Sequence, residues 1–208
     1  MNNKKLTLTL SIAAAAAAIA VGGAVAFASV PGASPAAVGS QGSTQVAPPW
    51  ARSGDGKIAW DCVQADHLAD PASWRPGARI DIDAATGFLV VRNDKSAAVC
   101  VIEGGKGVGI MGGDVSTTHV YGKLTAARPF DYLSSMNYEH ESVHFGIAGK
   151  DVTAVSLVSP DKTVTPATLK DGTFIAKVKD GEDSSAPTTN HVRATLSTGK
   201  VIEGPFRG

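Results

Sequence analysis

RIDIDAATGFLVVRNDKSAAVCVI, residues 79–102, is the stretch that decides the fold. Arg79, Asp81 and Asp83 alternate with Ile80 and Ile82, a period of two that sends successive side chains to opposite faces of a strand. Ala84-Ala85-Thr86-Gly87 reads as a turn, residues 88–92 as a second strand, and Asn93-Asp94-Lys95 as a turn into a third strand at 97–102. The three form a meander. Downstream, residues 164–170 and 173–178 flank Asp171-Gly172, a dipeptide suited to the two positive-φ positions of a type I′ hairpin turn. That register sets Leu169 opposite Phe174 and Ala167 opposite Ala176, while Pro166, with no N–H to donate, marks an edge strand. Residues 152–158 form a further strand, and 192–196 with 200–203 make a hairpin about Ser197-Thr198-Gly199.

Helix signals are few. Asp61 can cap a short turn up to Ala69, ahead of Pro71, and Pro129 can open a helix running to Asn137. With 23 glycines and 11 prolines to supply turns, the expected fold is all-β with minor α, a sandwich or open barrel. Its two halves would meet near residues 115–145.

Outward from this domain the N-terminus reads as an address. Lys4 and Lys5 precede an apolar run from Leu6 to Ala28, and Ala26-Phe27-Ala28 offers the small-x-small pattern of a cleavage site. Residues 1–28 are therefore a signal peptide or a signal anchor. The run is long enough to span a bilayer core of about 30 Å, but its many alanines make it a weak anchor. Either way the rest of the chain is expected outside the cytoplasm, with a membrane contact only through residues 6–28 if they are retained. Residues 29–56, rich in Pro, Gly, Ser and Ala, bury too little surface to fold alone and read as a linker. That leaves residues 57–208 as the β domain.

Charge narrows the partner classes. The chain carries 19 basic and 19 acidic residues; without residues 1–28 it has 17 and 19, a formal charge of −2. A nucleic-acid partner calls for a basic excess or stripe, and none is visible. The expected partner is an envelope or extracellular macromolecule that the sequence does not identify.

Cys62 and Cys100 are the two cysteines of the chain. In an oxidising compartment an isolated pair is expected to form a structural bridge, worth about 3–4 kcal/mol in the chain-entropy model. It would pin the segment before the sheet to the third strand of the meander. A thiol nucleophile or metal ligand is the competing role, and it lacks a C-x-x-C or Cys/His cluster.

Three motifs could carry chemistry. His140-Glu141-Ser142-Val143-His144 matches H-E-x-x-H, in which two histidines one helical turn apart bind zinc and the glutamate activates water. Such a site requires a helix, and Gly146 and Gly149 follow too closely to favour one. A zinc-dependent hydrolase using His140, Glu141 and His144 is the alternative function. Gly107-Val108-Gly109-Ile110-Met111-Gly112 matches the dinucleotide fingerprint, but β-branched residues and Gly113 follow where a helix should open. It reads as a bulged strand or glycine-rich connection. Asp81 and Asp83 share a strand face with Arg79 and read as a solvated charged face.

Ser134-Ser135 has no nearby base in the sequence, and His67, His119 and His191 are scattered. Trp50, Trp60 and Trp74 either cap the open end of the sheet or present an aromatic surface to a glycan or partner. No catalytic residue, metal ligand or cofactor is assigned on these grounds, and the leading expectation is a non-enzymatic binding module.

Residues 146–157, GIAGKDVTAVSL, continue through Val164-Thr165-Pro166-Ala167 to Asp171-Gly172-Thr173-Phe174. This pattern resembles the C-terminal G-x-x-G-x-D-V-T-x-V-x-L strand motif of uncharacterised exported or membrane-anchored actinobacterial proteins. The resemblance spans roughly residues 88–178, with Asp161-Lys162 in place of a first D-G and no Trp-rich ending. It implies an exported β domain of actinobacterial type and supplies no catalytic residue.

Overall fold

The structure, a computed structural model, describes residues 46–115, 120–138, 141–179 and 191–205. The leader at 1–28 and most of the linker lie outside them. No helix among the described residues is long and apolar enough to cross a membrane. A helix, α1 (Gly54–Ala65), precedes strands β1 (Arg75–Asp81), β2 (Thr86–Arg92), β3 (Ala97–Glu103) and β4 (Lys106–Asp114). These four strands pair in chain order as the expected antiparallel meander, the first sheet.

Next come β5 (Phe130–Tyr138), β6 (Glu141–Ala148), β7 (Val152–Val158), β8 (Val164–Pro166), β9 (Thr168–Lys170) and β10 (Thr173–Lys179). The final pair is β11 (His191–Leu196) and β12 (Val201–Pro205). They sort into a second sheet of order β5-β6-β10-β9 and a third of order β12-β11-β7-β8. Among the described residues the fold is all-β with one α-helix, as expected, and its strands form three stacked sheets.

Alternation explains the stack. On β2, Leu89 and Val91 face α1 with Cys100 and Ile102 of β3, while Ile58 and Val63 of the helix cover them. Phe88 and Val90 turn the other way, toward Val143 and Phe145 of β6 and Ile175 of β10. The Phe88 and Phe145 rings meet edge to face at 5.5 Å. The far face of the second sheet, with Ala148, Phe174 and Ala176, packs on Val155, Leu157 and Val192 of the third. The layers are thus helix, sheet, sheet, sheet. Each large side chain buried between them contributes about 2–3 kcal/mol. The Cys62 and Cys100 sulfurs are bonded at 2.09 Å, fastening α1 to β3 as expected.

Some local expectations are corrected. Asp61 does not cap the helix: α1 opens at Gly54 after an extended Ser53, and Asp61 sits in its interior, 2.6 Å from Lys57 one turn back. Regular structure therefore starts inside the stretch 29–56 that composition assigns to the linker, and Trp50 packs against the helix core. A single large aromatic outweighs the polar composition around it.

Residues 129–137 are not a helix but most of β5. Leu133 and Met136 have the three-residue spacing of a helix face, yet both reach the core between the first two sheets. A bulge between Tyr132 and Ser134 shifts the strand's phase at Leu133 and produces that spacing.

The Asp171-Gly172 hairpin forms with φ of 50° and 72° at its centre, and Leu169 opposes Phe174 as expected. The strand before it is two strands. β8 belongs to the third sheet and β9 to the second, so the chain changes sheets at Ala167, whose N–H donates to the Val155 carbonyl at 2.9 Å. The ladder between β9 and β10 ends at Thr168 opposite Ile175, so the Ala167–Ala176 pair is not made. Pro166 lies on an edge strand as expected.

Candidate functional site

The H-E-x-x-H segment is a strand wherever it is described. Residues Glu141 to His144 open β6, which pairs with β5 on one side and β10 on the other. Successive strand residues point to opposite faces, so Glu141, the residue that would activate water, does not share a face with the would-be ligand His144, three residues on. Glu141 instead pairs with Lys177 of β10 at 2.8 Å. His144 faces the opposite layer, with its Nε2 2.9 Å from Ser142 Oγ, and both residues are buried. His140 lies outside the described residues. Among the described residues no three His, Cys, Asp or Glu side chains are grouped to hold a metal ion.

What β6 does assemble is a polar patch at one end of the second sheet. Ser142 and His144 share a face because they are two apart. Across the ladder, Asn137 opposes Ser142 and Ser135 opposes His144. The fold therefore gives Ser135 the neighbouring imidazole that sequence reading found missing. This grouping was readable only with 141–144 as strand, since a helix sends Ser142 and His144 to different faces. The patch can donate and accept hydrogen bonds. Ser135 and Asn137 are exposed, whereas the Ser142–His144 pair is closed off from solvent.

The glycine-rich motif is β4, a bulged strand with register shifts against β3. Gly107 has a packing reason: a Cβ there would run into the Ile58 carbonyl and lie 2.9 Å from Cys62 Sγ, so the strand could not pass this close to α1. The motif opens no helix and offers no dinucleotide cradle.

Asp81 accepts from Arg79 Nη2 at 2.7 Å, and Asp55 from the first turn of α1 takes Nη1 of the same guanidinium at 2.8 Å. Hydrogen bonds donated to Asp55 and then to Asp81 hold Arg79 above its usual range. Asp83 lies beyond the strand, where backbone N–H groups of Ala85 and Thr86 bond its carboxylate and lower its pKa. The two aspartates serve separate local structures, so no paired-carboxylate centre forms.

The tryptophans are mainly interior. Trp74 and Trp60 are buried, and Trp50 meets Trp60 edge to face at 6.1 Å, with Arg75 4.6 Å over the Trp50 ring. Trp74 belongs to the core between α1 and the first sheet with Trp50 packed against it, and the aromatic-surface expectation has no exposed Trp60 or Trp74 to rest on. His67 and His191 are exposed at separate places, and His119 lies outside the described residues. Tyr121 sits against the core between the first two sheets, where burial pushes its phenol up to about 12. Comparison with protein families, curated proteins and solved structures returned no match.

Proposed function

We propose that this chain is an exported, non-enzymatic β module that acts at or beyond the cell envelope by binding another macromolecule. The leader of residues 1–28 would carry it across the membrane, and the part of the 29–56 stretch that precedes the folded residues would serve as a spacer. The observation that carries this reading is the separation of Glu141 and His144 onto opposite faces of β6. It sets the carboxylate that would activate water apart from the His144 ligand, which speaks against the hydrolase alternative. The dinucleotide and paired-carboxylate motifs likewise have structural duties. A disulfide between buried cysteines supports a compartment outside the reducing cytosol.

The test is fractionation of cells producing the full chain, with thiol labelling of each fraction. The expected result is envelope or medium localisation with both cysteines blocked, and sedimentation of the purified protein with isolated envelopes. Cytosolic protein with free thiols, or protein that retains zinc and loses hydrolytic activity on His144→Ala, would contradict the reading.

A further inference from the structure

Among the described residues three sheets present six edge strands, and five of them are short, bulged or carry proline. β1 carries Pro76 and a bulge, and the Ala78 N–H donates 2.8 Å to Thr173 Oγ1. β4 is bulged, and its Ile110 N–H is taken by Asp66 at the end of α1. β8 and β9 are three residues each, β8 containing Pro166, and β12 is five residues ending in Pro205. Short length, proline and bulges are the usual defences against edge-to-edge pairing. β5 is different. After its bulge, residues 134–138 (SSMNY) run straight along β6 with no proline, glycine or charge. Among the described residues no strand pairs with the outer side of β5.

The register identifies which groups face out. The Ala148 N–H donates to Gly172 on the β10 side, and the Gly149 N–H donates to Pro129 on the β5 side. Even-numbered residues of β6 therefore bond toward β10 and odd-numbered ones toward β5. Since Met136 opposes Val143 and Ser134 opposes Phe145, Ser134 and Met136 spend their backbone groups on β6. Ser135 and Asn137 turn theirs outward. An extended strand is the occupant that such a row of N–H and C=O groups fits.

We propose that a second copy of this chain is that occupant, its β5 pairing antiparallel to the first about a two-fold axis at Met136. Ser135 of each copy then exchanges both backbone hydrogen bonds with Asn137 of the other, and the two Met136 residues form the close, non-hydrogen-bonded pair on the axis. The pattern is self-complementary, as a two-fold interface requires. Asp131, the one charged residue of β5, lies well away from the axis, so like charges are not opposed. Half-buried Met136 gains cover from its symmetry mate. The pairing is short, so the dimer forms in the micromolar range or weaker.

The test uses the full, oxidised chain, in detergent if the leader is retained. Sedimentation velocity up to about millimolar protein should show a concentration-dependent dimer. Ser135→Pro, which deletes an outward N–H and leaves the β6 ladder its donors, should weaken self-association about tenfold or more. Oxidation of Met136→Cys should give a covalent dimer, because residues opposed in such a pair are about 4.5 Å apart at Cα. Asn137→Cys, opposite Ser135 of the mate, should cross-link far less. A monomer throughout the range, a dimer indifferent to Ser135→Pro, or equal cross-linking at both positions would each overturn the proposal.

Discussion

The second and third sheets are built from the same antiparallel hairpins but live in different surroundings. The second lies between two layers, and β6 is buried from Ser142 to Ala148 without interruption. Among the described residues the third has a layer on one side only. On β11, buried Val192 and Ala194 alternate with more open His191, Arg193 and Thr195. A strand covered on both faces loses the polar half of its pattern, so its period of two disappears from the sequence. That is why residues 192–196 read correctly as a strand, while residues 145–148 show no alternation and the polar residues before them matched the zinc motif by themselves.

Truncations should separate the two sheets most strongly. Phe145→Ala, in β6 against Phe88, is expected to cost about 3–5 kcal/mol in chemical denaturation. Leu196→Ala at the half-buried end of β11 should cost less than about 2 kcal/mol. Equal costs would erase the distinction between a central and an outer sheet.

Alkaline titration sharpens the same contrast. Tyr121, packed against the core of the second sheet, has its phenol pushed up to about 12 from an ordinary 10.0 by burial. The folded state holds this proton more tightly than the unfolded state. Its contribution is therefore complete below pH 10 and is lost as pH rises toward 12. About 2 kcal/mol should disappear over that window, after discounting for residual exposure. The Tyr121→Phe variant should lose that part of the pH dependence.

Ser142→Ala should cost about 1 kcal/mol by removing the oxygen bonded to buried His144. At the small end, Val201→Thr on the open face of the third sheet should change stability by no more than about 0.5 kcal/mol.

Legibility in the sequence followed turn signals and alternation. The meander, the Asp171-Gly172 turn and the C-terminal hairpin were readable because each carries a turn signal and at least one alternating strand. The bridge was readable from the cysteine count and the leader. β5 was misread because Pro129 resembles a helix opener, and its bulge leaves core-facing Leu133 and Met136 at a spacing that does not betray a strand. α1 was misplaced because Asp61 resembles a cap while pairing with Lys57 inside the helix. The change of sheet at Ala167 left no local signal beyond Pro166. The polar patch of Ser135, Asn137, Ser142 and His144 needs cross-strand register, which depends on a partner strand rather than on spacing along the chain.

One spectroscopic measurement bears most directly on the strand assignment of β6, from which the layer order and the discounting of zinc chemistry both follow. In a non-hydrogen-bonded antiparallel pair the backbone Hα atoms face each other closely. Nuclear Overhauser contacts between Hα of Ser135 and His144, and between Hα of Asn137 and Ser142, are therefore expected to be strong. Their absence, with medium-range contacts between Glu141 and His144 of the kind a helix gives, would contradict the fold of this segment and restore the metal-binding reading.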